Sequence, residues 1–182
     1  MEQIEIEALA EQFLALVPAY IWDGHRLPVP IEEIADSHLG LLVRELADLS
    51  TAPGAPALAA GQTLSGLLLP DRGEIWVNGE EAKQWPGRRR FTIAHEIGHW
   101  ELHRSAEAPA LCRAVAVEPE TAAPLPLAEN EANSFAAAVL MPAQLLREEY
   151  QRDRDFHRLR TVFGASGAAM GRRLHAVVTP SG

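Results

Sequence analysis

The chain of 182 residues has a single cysteine, Cys112, so no disulfide can form within it. That absence points to a reducing compartment, and a cytoplasmic location is expected. No stretch approaches the roughly 20 apolar residues that a helical membrane span requires, so no membrane partner is expected. The opening MEQIEIEALAEQF is acidic from its second residue and has no basic flank before an apolar run, so it does not read as a secretory signal. Basic residues are also scarce: 16 Lys and Arg stand against 25 Asp and Glu, a net charge of -9. This argues against direct nucleic-acid binding, because neutralising phosphate draws on Lys and Arg. The deficit is uneven. Residues 1–146 hold 9 basic side chains against 21 acidic, whereas residues 147–182 hold 7 against 4, which reads as a solvated helical face. There is no internal repeat and no low-complexity linker. What remains, 47% hydrophobic and 23% charged, is ordinary globular composition for one domain with a short appendage.

Along the chain, Ile4, Leu9, Phe13, Leu16 and Val17 recur at helical spacing, and Pro18 closes that helix. Pro28 and Pro30 introduce a short helix, IEEIADSHLG, with Gly40 as its C-cap. LLVREL reads as a strand. LSGLLLP and EIWVN read as a hairpin turning at Asp71, Arg72 and Gly73. Gly79 to Gly87 reads as a loop, a helix follows from about Arg88 to His103, and the proline-rich residues 104–128 read as a long loop. ENEANSFAAAVLMP is a second strong helix ended by Pro142, with further helices after it, and Gly164 and Gly167 interrupt the tail. The expected class is therefore α+β: a small three-stranded sheet packed on the helix ending at His103, with helices before and after. Residues 1–146 form the expected main domain, and residues 147–182 a helical appendage packed on it.

The segment FTIAHEIGHWELH contains His95, Glu96 and His99 in an H-E-x-x-H pattern. Residues four apart share a helix face, so both imidazoles can reach one ion at about 2.0–2.1 Å. Glu96, rotated by about 100° along the helix, is suited to act on a water beside that ion as a general base. Phe91, Ile93, Ala94, Ile97 and Trp100 make the helix largely buried, and buried imidazoles and carboxylates need partners. A metal supplies one. Gly98 costs about 1 kcal/mol relative to Ala inside a helix, which suggests close approach by another element.

A catalytic zinc takes three protein ligands and keeps a fourth position open. Glu129 is the favoured third ligand, because it shares a face with Asn133, Ala136, Ala137 and Leu140 on the second strong helix. Asn133, one turn on, can bond a ligating imidazole. Glu131 is the competitor, about 200° away around the helix. His103 continues the face of the histidine pair but lies a full turn beyond, so it reads as structural. Cys112 reads as a small hydrophobe, with approach to the metal as an inhibitory thiolate the alternative. Tyr150, His157 and His175 are candidates for stabilising an oxyanion, with nothing to separate them.

RFTIAHEIGHWELH followed by ENEANSFAAAVLMP resembles the ImmA/IrrE family of metallopeptidases, and LPVPIEEIADSHLG and GEIWVN upstream fit the same pattern over residues 28–142. The step from Glu129 to Asn133 is similar to the E-x-x-x-[DN] step that carries the ligand glutamate in thermolysin-like zinc enzymes. The resemblance implies a zinc peptidase with one ion per chain, manganese being the other possible metal. The implied partner is a protein substrate, a helix-turn-helix repressor whose cleavage relieves repression after DNA damage or in mobile elements. From the residues themselves, the expected mechanism has Glu96 taking a proton from water and passing it to the leaving amine, with a strand of the hairpin expected to pair through its edge with an extended substrate segment. The alternative is a zinc-binding module that binds a regulator without cutting it. FGASGAAMGRRL resembles the helix-turn-helix-like tail common in that family, interrupted at Gly167.

Overall fold

A computed structural model of the chain describes residues 1–58, 62–103, 111–116 (by their backbone) and 126–178. Helix α1 spans Gln3–Leu16, and α2 (Ile31–Glu33) runs on into a wider π turn at Ile34–His38. Strands β1 (Leu42–Leu46), β2 (Gln62–Leu69) and β3 (Glu74–Asn78) follow, then α3 (Gly79–Gln84) and α4 (Pro86–His103). Strand β4 (Leu111–Ala116) precedes α5 (Leu127–Leu140), α6 (Ala143–Arg152), α7 (Phe156–Phe163) and α8 (Gly167–Val177).

The class is α+β, as expected, and the three expected strands are present. A fourth joins them: the sheet order is β1-β3-β2-β4, with β1 parallel to β3 and the other pairs antiparallel. Strand β4 comes from the stretch read as a long loop. Its six residues carry too little pattern to announce a strand. They become one by pairing along β2, with Cys112 opposite Leu67 and Arg113 opposite Gly66. A second expectation falls with the first. Both hairpin strands are interior, so neither offers a free edge; the sheet edges among the described residues are β1 and β4.

The stretch from Gly79 to Gly87 is also not a loop. Asn78 caps α3 by accepting from the N–H groups of Glu80 and Glu81, each at 3.1 Å, and those two acids favour the positive end of the helix. Pro86 then opens α4, where its missing N–H costs nothing.

Along β2 the period of two sends Gly66 and Leu68 toward α4, and Leu67 and Leu69 to the other face. A register shift between Leu64 and Gly66 puts Leu64 with the latter pair. On the helix side, Leu68, Ile75 and Val77 join Ile93 and Ile97 of α4 and Phe135 and Val139 of α5 in the main core. Fully burying each such side chain is worth about 1.5–3 kcal/mol. Leu159, Phe163 and Met170 of the tail belong to that same core. Buried Arg173 of α8 ties the tail further, donating to the Met141 carbonyl at 3.0 Å and pairing with Glu7 of α1. The division drawn at position 146 falls inside α6. No helix among the described residues is long and apolar enough to cross a membrane.

Candidate metal centre

Among the described residues, helices α4 and α5 make the most extensive contact between elements. Gly98 permits it: a Cβ there would lie 3.1 Å from both the Cα and the carbonyl oxygen of Ala132. This is the close approach that Gly98 suggested in the sequence. The small faces of the two helices press together, and the first turn of α5 swings Glu129 over the histidine pair of α4.

Donor atoms from three residues converge there. His95 Nε2 and His99 Nε2 are 3.1 Å apart. Glu129 Oε2 lies 3.2 Å from His95 Nε2, and Glu129 Oε1 lies 3.1 Å from His99 Nε2. A tetrahedral ion with bonds of about 2.0–2.1 Å spaces its ligand atoms about 3.3–3.4 Å apart. The observed spacings of 3.1–3.2 Å are close to that, and two imidazoles with one carboxylate match the ligand chemistry of zinc. The group can hold a metal ion. The histidines are buried, while the Glu129 side chain is 20% exposed, so the group opens toward solvent on the α5 side.

Burial alone would raise the Glu129 carboxyl. Hydrogen bonds from His95 and His99, together with their charge, overcome it and hold the group at about 2. Glu129 is therefore a carboxylate at any physiological pH. Asn133, one turn further along α5, places its Oδ1 3.1 Å from His95 Nδ1. With an ion in place of the proton at Nε2, His95 would donate from Nδ1 to that oxygen, which fixes the ring and aims the Nε2 lone pair into the group.

Glu96 lies on the sheet side of α4 and is fully buried. It faces Gly66 of β2. A Cβ on Gly66 would collide with the Glu96 carboxylate and would sit 2.5 Å from Thr92 Cγ2 and 3.2 Å from Glu96 Cδ. Gly66 was missed in the sequence, although a glycine inside an apolar strand is the mark of a close neighbour.

Glu131, the competing ligand, points elsewhere. It is buried between the Met1 amino group and His103, whose Nε2 lies 3.5 Å away. That contact is electrostatic rather than a made hydrogen bond. Burial lowers the His103 pKa, and neighbouring His99 adds to the effect. His103 thus belongs with Glu131, outside the metal group. Tyr150 packs with Arg154 over its ring, and His157 and His175 are exposed on α7 and α8. None of the three joins the group. Cys112 pairs through its backbone with Leu67, and its side chain lies outside what is described. In the tail, Gly167 does not interrupt a helix. It opens α8 directly after the N-cap Ser166, while Gly164, at φ 60°, ends α7.

The peptidase M78 family, described as the IrrE N-terminal-like domain, matches residues 59–175. The chain is also similar in fold to a solved structure described as a Mycobacterium tuberculosis transcriptional regulator. The two are 20% identical with a TM-score of 0.56, over 97% of this chain and 48% of that one. The chain therefore spans about half the length of the structure it matches. No curated protein matches it. The family match covers well over half of the chain and encloses the histidine pair, Glu96 and Glu129, so the chain belongs to the IrrE N-terminal-like family, with its metallopeptidase fold.

Proposed function

We propose that this chain is a zinc-dependent endopeptidase acting in the cytoplasm on a protein partner, with a helix-turn-helix repressor as the substrate class. The observation that carries the reading is the pairing of a convergent donor group, His95, His99 and Glu129, with a buried carboxylate, Glu96, next to its first ligand. When bound, zinc supplies Lewis acidity, polarising a carbonyl and lowering the pKa of a water to about 7.

The chain's own residues do the rest. Asn133 fixes the ring of His95, and Glu129 adds a negative charge that draws a cation to the group. Glu96, held in place against Gly66 and Thr92, accepts the proton of the attacking water at its carboxylate and delivers it to the leaving amine. With the hairpin strands interior, an extended substrate segment pairs along β4, the edge strand opposite Gly66 among the described residues.

The test is Glu96→Gln assayed against a repressor encoded beside this chain. Cleavage should fall by about 10²-fold or more while zinc content is unchanged. Cleavage at the wild-type rate would remove Glu96 from its role. Stable capture of the repressor, with no cleavage by the wild-type chain under any metal condition, would turn the reading into one of binding alone.

A further inference from the structure

A cavity of about 500 Å³ lies between the start of α4 and the start of α8. Its wall carries Arg88, Arg160 and Arg172 and no carboxylate. In a chain with 25 acidic residues and a net charge of -9, this is a local inversion of sign. Several arginines of the fold are matched: Arg89 with Glu32, Arg158 with Glu149 and Arg173 with Glu7. Arg88 is matched too, its Nε standing 3.3 Å from Glu81. Arg160 and Arg172 enter no ion pair among the described residues, and Arg160 Nε is buried with no hydrogen-bond partner. Arg90 Nε shares that state but lies away from this wall, whereas Arg160 stands in it. Arg172 also borders a neighbouring cavity of about 680 Å³, whose wall likewise has no carboxylate.

The backbone adds to the same field. The 11-residue helix α8 begins here, and its N-cap Ser166 accepts from the Ala169 N–H at 3.2 Å. The N–H groups of Gly167 and Ala168 remain at the positive end of the helix. Gly167 has no Cβ to fill the space beside Arg160, whose Nε and Cζ would lie 3.7 and 3.8 Å from one. Trp85, 56% exposed, lines the same cavity together with Phe91.

We propose that this cavity binds a small phosphate-bearing ligand with a planar ring. The phosphate sits between Arg160, Arg172 and the first N–H groups of α8, and the ring stacks on Trp85. The volume falls within the range of about 300–1,000 Å³ typical of small-molecule sites. A nucleic-acid groove fits less well. The turn joining α7 to α8 is packed into the body, since a Cβ at Gly87 would lie 3.2 Å from the Gly164 oxygen and the Ser166 nitrogen.

The test titrates adenosine 5′-monophosphate and inorganic phosphate into the zinc-loaded chain at low ionic strength, followed by calorimetry and tryptophan fluorescence. Saturable binding of both probes is expected, the nucleotide more tightly. Arg160→Gln and Arg172→Gln should each weaken the nucleotide by about tenfold or more at unchanged melting temperature. Trp85→Ala should weaken the nucleotide but not phosphate. Absence of saturable binding, or binding indifferent to both arginine variants, overturns the proposal. So does binding of a short DNA duplex that the nucleotide cannot displace.

Discussion

On the α5 side of α4, the residue that makes room belongs to the helix itself: Gly98, pressed on Ala132. On the sheet side, it belongs to the opposing strand: Gly66, pressed on Glu96 and Thr92. The first approach sets the span of the donor triangle, because Glu129 rides on α5. The second sets the position of the carboxylate beside it, because β2 backs Glu96. Ion holding and proton handling therefore rest on different neighbours of one helix, and each should be separable from the other by a single substitution.

The largest expected separation is on the sheet side. Gly66→Ala forces the Glu96 carboxylate aside, and a displacement near 1 Å can cost about 10²-fold in rate. Cleavage should drop by that order in a repressor-cleavage assay while zinc content stays at the wild-type value. Loss of both together would mean that the two sides are not independent. On the α5 side, Asn133→Ala removes the acceptor that orients His95. Zinc affinity, measured by competition with a chelator, should fall by about 10–100-fold. An unchanged affinity would show that the bond to His95 does not tune the group. The smallest effect is expected from Gly98→Val. Its side chain overpacks the Ala132 contact at a cost of about 1–3 kcal/mol, which should lower the melting temperature by about 2–4 °C for each kcal/mol. An unaltered melting temperature would show that α5 yields freely.

The helix side of this comparison was legible in the sequence. The four-residue spacing of His95 and His99 needs only helical geometry, as does the shared face of Glu129 and Asn133, and Gly98 announced a neighbour through its cost. Glu129 and Glu131 were separable because two positions along a helix turn about 200°, and Glu131 indeed faces His103 instead. The sheet side was less legible. Strands β2 and β3 showed their pattern, but strand order comes from pairing between distant segments. So the sequence placed a hairpin edge where β4 now lies, and Gly66 went unnoticed beside Glu96. The short helix α3 was a different kind of miss. Asn78 followed by Glu80 and Glu81 is a readable N-cap, but a six-residue helix that begins at Gly79 is too short for an apolar period to show.

The most direct measurement is elemental analysis of the purified chain after exposure to zinc and removal of free ion, set beside His99→Ala treated in the same way. The donor triangle predicts one zinc per wild-type chain and none retained by the variant. A wild-type chain that emerges without metal, or a variant that keeps as much as the wild type, would contradict an ion held between α4 and α5.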